Sequence, residues 1–183
     1  MKKLSFLFAF SLIAIAAHAQ NVWLGTAAEI SFFSKTAIEN IEAKSKVVGA
    51  AMNLANKSLF FKVKNTTFKF PKALMEEHFN ENYMESEKYP TSEFKGTIVD
   101  STNSDLTKNG TYSVWVVGKL TIHGVTKDYK TRATFTTKDG KIRGVASFRV
   151  RLDDHKIERP SVVAQSLAET IDVSVDVTFE PQK

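Results

Sequence analysis

Cysteine is missing from all 183 residues. That excludes disulfides, a thiol nucleophile and the cysteine that anchors a lipoprotein at its cleavage site. Glycine (8) and proline (4) are sparse, and the glycines form no G-x-S-x-G elbow, P-loop or dinucleotide fingerprint. No Pro/Ser-rich linker, internal repeat or low-complexity stretch divides the chain. Long apolar runs are absent after Ala17. The one that precedes it, Leu4 to Ala17, follows Lys2 and Lys3 and leads into Ala17-His18-Ala19. This is the pattern of a secretory signal peptide over 1–19, cut before Gln20. As a membrane anchor the run is shorter than the ~20 residues needed to span hydrocarbon. A periplasmic or secreted product is expected, with 20–183 forming one domain of ordinary size. Losing the leader also removes Lys2 and Lys3 from a formal charge of +5. The remaining basic residues alternate with acidic ones, which argues against a nucleic-acid surface.

What the chain does contain is alternation. Thr170 to Glu180 places Ile171, Val173, Val175, Val177 and Phe179 on one face and polar residues on the other, the mark of a strand with one buried side. Lys141 to Leu152 does the same with Ile142, Gly144, Ala146, Phe148 and Val150. Lys127 to Thr137 turns Tyr129, Ala133 and Phe135 inward, and Lys138-Asp139-Gly140 joins these two as a hairpin. Thr111 to His123 carries Tyr112, Val114, Val116, Gly118, Leu120 and Ile122 inward, with Trp115 and Val117 outside. Further strands are expected at Ala28 to Ser34, Ile38 to Asn53, Lys57 to Asn65 and Ser92 to Thr102. Only Pro71 to Met84 departs from a period of two, and Leu74, Met75, Phe79 and Tyr83 make it one short helix, about 72–84. Asp153 to Ala168, containing Pro160, is expected as a loop or a further short helical turn.

Eight one-sided antiparallel strands lead to a sandwich or a closed barrel, and closure is the better expectation because it leaves no edge strand. The fold class is therefore all-β, an eight-stranded antiparallel barrel with one inserted helix. Such a barrel is wide enough for packed side chains or for one slender ligand. The inner face mixes small residues with large ones. Phe61, Val114, Val116, Gly118, Ala133, Phe135, Gly144, Ala146, Phe148, Val173 and Val175 are the candidate wall of an apolar cavity. Glycines and alanines at those positions equally fit strand curvature or barrel taper in a filled core. Periodicity leaves both open; a filled interior would make this a structural or partner-binding barrel, with Trp115 and Val117 on the outer face as its apolar patch.

Catalytic constellations are thin. His78 lies beside Glu77 on the helix without the H-E-x-x-H spacing of a zinc site. Asp153-Asp154-His155 reads as turn chemistry. A hydrolase would have to use His78 or His155, and the expectation is no enzyme, no metal and no cofactor. Asn65-Thr66-Thr67 and Asn109-Gly110-Thr111 match the short N-glycosylation pattern, which a bacterial export signal makes uninformative.

Two longer segments resemble a known family. LMEEHFNENYMESEKYPTSEFKG, Leu74 to Gly96, and GKLTIHGVTKDY, Gly118 to Tyr129, are similar to the two hallmark segments of the YceI-like proteins, exported bacterial polyisoprenoid-binding barrels. The resemblance runs from about Ala28 to Glu180. It implies a lipocalin-like barrel whose long apolar channel holds an isoprenoid or other lipid tail, and no catalytic residue. The expected role is to sequester or transport an isoprenoid or acyl lipid in the envelope, with transient membrane contact, no nucleic-acid partner, and a monomer or homodimer. Within it, Tyr89-Pro90 and His123-Gly124 read as turns, and a helix across the barrel mouth would set Phe79 and Tyr83 over the cavity as lid or plug. The Val22-Trp23-Leu24 opening and VRLDDHKIERPS, Val150 to Ser161, depart from the family pattern and mark a divergent branch.

Overall fold

A computed structural model describes residues 21–99, 105–159 and 165–182. The expected signal peptide and its cleavage site, the far end of the expected Ser92–Thr102 strand, and Pro160 lie outside them. Nine strand segments follow in order: β1 Val22–Lys35, β2 Asn40–Ser45, β3 Val48–Asn53, β4 Ser58–Lys64, β5 Thr91–Val99, β6 Gly110–Ile122, β7 Val125–Lys138, β8 Lys141–Arg151 and β9 Thr170–Pro181. β2 pairs with the second half of β1 from Ile30 to Lys35, and β3 with its start from Val22 to Leu24. The nine segments thus occupy eight rows, and β1 pairs with β9 to close the expected barrel.

Two strands differ from their sequence reading, each for a local reason. The long strand through Ile38 to Asn53 breaks at Lys46-Val47. Ser45 is fully buried there, its hydroxyl accepts from the Val47 N–H at 3.2 Å, and it hydrogen-bonds Thr67 at 2.7 Å. A side chain bonded to the backbone two residues on diverts the chain from the ladder. β1 begins earlier than Ala28, because Thr26 is an extra residue between the pairs Gly25↔Phe179 and Ala27↔Thr178. Such a bulge swaps the facing of every residue beyond it. Trp23 is inward before it, Ile30 and Phe32 are inward after it, and the simple alternation is lost.

The hairpins after β6 and β7 turn through His123-Gly124 (φ 50° and 71°) and Asp139-Gly140 (φ 52° and 72°). Positive φ at both central residues gives the turn whose twist matches the strands it joins. Gly124 has a second reason to be glycine, since a Cβ there would stand 2.5 Å from the Tyr89 ring.

The expected helix forms as α1, Ala73–His78, and runs directly into a π turn, Phe79–Tyr83. The Met84 N–H closes that wider turn on the Phe79 carbonyl at 2.8 Å. Asn80 secures it, donating to the Glu76 carbonyl and accepting from the Ser86 hydroxyl, both at 2.8 Å. The stretch after β8 begins with a single helical turn, Asp153–His155, one of the two forms expected of it.

The barrel interior has two unlike halves. At one end Trp23, Met52, Leu59, Ile98, Leu106, Val114, Ile142 and Phe179 form a packed floor. At the other, Phe32, Phe68, Phe70 and Phe79 gather beneath the helix with ring centroids 5.1–5.7 Å apart. Met84, Leu152, Ile157 and Ile171 make a second cluster beside them. The ladder also opens at this end. β7 pairs with β8 only from Ala133 to Lys138, and the 153–155 turn fills the wedge between them. Beyond its ladder with β1, β2 makes a further backbone pairing at Lys44 and Lys69, which exchange hydrogen bonds, and packs Ala43 against Val63 and Phe68.

Candidate functional site

Between floor and helix lies a cavity of about 330 Å³, within the size range of small-ligand pockets. Its wall is apolar almost throughout. Phe61, Val116, Ala133, Phe135, Gly144, Ala146, Phe148, Val173 and Val175 line it, and Phe79 and Tyr83 line it from the helical side. The open choice between packed core and cavity is thus divided by height: packed below, hollow above.

Two expected wall residues do not line the cavity. Val114 sits two positions nearer the floor than Val116 and is buried in the packed cluster. Gly118 is covered: a Cβ there would lie 2.4 Å from the Lys95 carbonyl oxygen, 2.5 Å from Gly96 Cα and 2.7 Å from the Phe94 ring. Gly96 and Gly118 face each other across β5 and β6 so that Phe94 can lie flat over both, and Phe94 takes the place on the wall. A bulky residue at Gly118 would therefore displace Phe94 rather than simply block a channel. Ile30, Phe32, Phe68, Phe70, Met75 and Leu120 also line the cavity. The β1 bulge hides Ile30 and Phe32 from a search for alternation, and Phe68 and Phe70 lie outside any strand.

A few polar groups sit in or behind the wall, and several are tied to partners. Asn65 is fully buried, donates to the Tyr89 carbonyl at 2.7 Å and accepts from the Ser92 hydroxyl at 2.9 Å. The glycosylation-like asparagine is therefore a bracket for the Tyr89-Pro90 turn. His155 is fully buried behind the wall, not turned to solvent. Its Nδ1 lies 3.0 Å from the Val125 carbonyl and its Nε2 3.1 Å from the Tyr129 hydroxyl. A carbonyl can only accept, so Nδ1 carries the proton; burial pushes the imidazole pKa below its ordinary value and keeps it neutral. Nε2 is then the acceptor of the Tyr129 O–H. Burial, and next the charge of Asp154, raise the Tyr129 phenol above its usual range.

His123 joins the two hallmark segments. Its Nε2 is 2.6 Å from a Glu85 carboxylate oxygen, its Nδ1 3.2 Å from the His155 carbonyl, and its ring meets Tyr89 edge-on at 4.5 Å. The hairpin turn thereby holds the end of the helical segment in place. His78 lines the cavity from α1, whereas His155 reaches the wall only through Tyr129. Among the described residues no three His, Cys, Asp or Glu side chains gather as a metal site. On the outer face Trp115 is 38% exposed, with Lys130 Nζ and the Arg132 guanidinium 4.6 and 4.8 Å from its ring centroid, while Val117 is half-buried.

A closed antiparallel barrel, packed at one end and hollow and apolar beneath a helix at the other, defines a β-barrel with an internal apolar cavity. More narrowly, the chain belongs to the YceI-like domain family, whose model matches residues 22–179. A UPF0312 protein of Pseudomonas putida strain W619 is 35% identical over 101 residues, 52% of this chain and 48% of the relative. The chain thus matches about half the length of that curated relative. A polyisoprenoid-binding domain from Saccharophagus degradans implicated in plant cell wall breakdown shares the fold at TM-score 0.76 and 14% identity, covering 89% of this chain and 99% of its own. BcnA of Burkholderia cenocepacia (0.69, 14%, 82% and 95%) and the Campylobacter jejuni YCEI protein (0.65, 20%, 81% and 90%) share it too.

Proposed function

We propose that this protein is an exported lipid-binding protein that holds one long apolar chain, isoprenoid or acyl, in the barrel cavity and sequesters or carries it in the bacterial envelope. The observation that carries this reading is the hollow half of the barrel, walled by aliphatic and aromatic side chains and roofed by Phe79 and Tyr83. Each methylene moved from water into such a space contributes roughly 0.8 kcal/mol, so a long tail needs no strong polar anchor. The family membership and the polyisoprenoid-binding neighbour support the same ligand class. The leader at 1–19 supports export to the periplasm or medium, with cleavage before Gln20. A partner-binding barrel with a filled core fits less well, because the upper half is not filled; a hydrolase fits less well, because His78 and His155 do not meet at one cleft.

The test is mass spectrometry of organic extracts from protein purified without detergent from its host. A stoichiometric isoprenoid or acyl lipid is expected. Ala146, on the wall and facing Ala133 and Val175 on its neighbouring strands, is the place to close the cavity. Ala146→Trp should give a folded barrel whose extract is empty. An empty wild-type extract, even after incubation with membrane lipid, would remove the carrier reading.

A further inference from the structure

The cavity wall carries hydroxyl groups whose protons are already committed. Tyr129 and Thr131 are successive inward residues of β7, and both line the cavity. The Tyr129 proton goes to His155 Nε2, because Nδ1 of that ring is fixed as donor to the Val125 carbonyl. The single Thr131 proton goes to the Ser147 carbonyl at 3.0 Å, with the Arg132 carbonyl next at 3.3 Å. Ser92 on β5 repeats the arrangement, donating to Asn65 Oδ1, while the Asn65 amide is held by the Tyr89 carbonyl. What each of these oxygens still offers is a lone pair.

We propose that the β7 wall is a headgroup subsite, with Tyr129 and Thr131 as acceptors that select a lipid ending in a hydrogen-bond donor, a free hydroxyl, over the same chain ending in an ether or ester. This rests on the lipid-binding reading above and adds the terminal group to it. The selection is by mismatch as much as by attraction. A terminal ether or ester oxygen also has only lone pairs to offer and meets Tyr129 and Thr131 with no proton between them. An acceptor that meets an acceptor inside the cavity forfeits the hydrogen bonds both had in water. The neutral, buried His155 is a positioning residue: it does not reach the cavity, but it fixes which way the Tyr129 proton points.

The experiment is calorimetric titration of the full mature protein, first delipidated, with farnesol and with farnesyl methyl ether, which share one chain. Farnesol should bind about tenfold more tightly, the factor that one well-formed hydrogen bond supplies. Thr131→Val and Tyr129→Phe should each shrink that ratio by weakening farnesol alone, and the double variant should bring it to about one. Tyr129→Phe leaves His155 Nε2 without its donor, and if that variant fails to fold Thr131→Val alone decides. Equal binding of the two probes by the wild type, or a tenfold ratio that persists in Thr131→Val and in any folded Tyr129 variant, would overturn the subsite and leave the lipid reading standing. Binding of neither probe would overturn both.

Discussion

A buried histidine held neutral by its surroundings leaves a trace in the dependence of stability on pH. His155 has its pKa lowered chiefly by burial, whereas in the unfolded chain it returns to about 6.5. Below that value the unfolded state takes up a proton that the folded state refuses. Stability is therefore fully present above about pH 6.5, declines as pH falls toward the folded value, and levels off below it. Glu93, held down by Lys62, and Asp176, held down by Arg143, act in the same direction but in the more acidic range of carboxylates. Urea unfolding between about pH 7.5 and 5 isolates the histidine. The wild type should lose stability across that window, while His155→Asn, weaker at neutral pH by about 1–3 kcal/mol for its broken hydrogen bonds, should lose less. A variant as pH-sensitive as the wild type would assign the effect elsewhere. Nothing in Asp153-Asp154-His155 as a string distinguishes a solvated turn from a core histidine. The deciding partners, Val125 and Tyr129, are roughly thirty residues away in sequence. Gly118 was hidden in the same way: its parity is right, and only the Phe94 ring, brought by β5, shows that the position is covered.

At the scale of elements the helical segment is where packing and access meet. Phe79 stacks on Phe32 at 5.4 Å and touches Phe68 and Phe70 at 5.6 and 5.1 Å while facing the cavity. Phe79→Ala should cost about 2–4 kcal/mol in urea unfolding, somewhat under the loss for a fully buried ring. It should also speed release of bound lipid in a stopped-flow exchange assay. Lost stability with an unchanged release rate would make the segment a plug rather than a lid. How legible each element was follows from what shaped it. β6 to β9 are regular, one face wet and one face dry, so their alternation is nearly their structure. β1 and the β2–β3 row carry an inserted residue at Thr26 and a side-chain-driven break at Ser45. Both devices act through tertiary pairing and leave no period in the string. The helix was visible from Leu74, Met75, Phe79 and Tyr83, but not its π turn, which depends on Asn80 and Ser86.

For the whole molecule, closure of the ladder is complete at the floor and partial at the roof. Lys44 spends its outward N–H and C=O on Lys69, so Glu42, two residues back and on the same edge, turns its own outward with no ladder partner among the described residues. Amide exchange followed by NMR should therefore find Glu42 faster than Ala43, whose N–H points into the β1 ladder, and both faster than Val114 or Ile142 near the packed floor. Uniform protection around the barrel would mean that the roof is as tightly closed as the floor. A hollow or a filled interior fitted the alternation equally well, whereas the barrel itself was legible in the sequence, because strand count and one-sidedness leave few solutions. The division of that interior by height was not, since inward residues of both halves look alike along one strand.

The Thr26 bulge has a consequence for how such a protein can change over generations. A single surplus residue lets one strand contribute Trp23 to the foundation and Ile30 and Phe32 to the chamber. The reserve of stability is thereby concentrated in one storey, and substitutions in the other can be sampled while the fold survives. A lineage built this way can exchange its cargo without rebuilding its container.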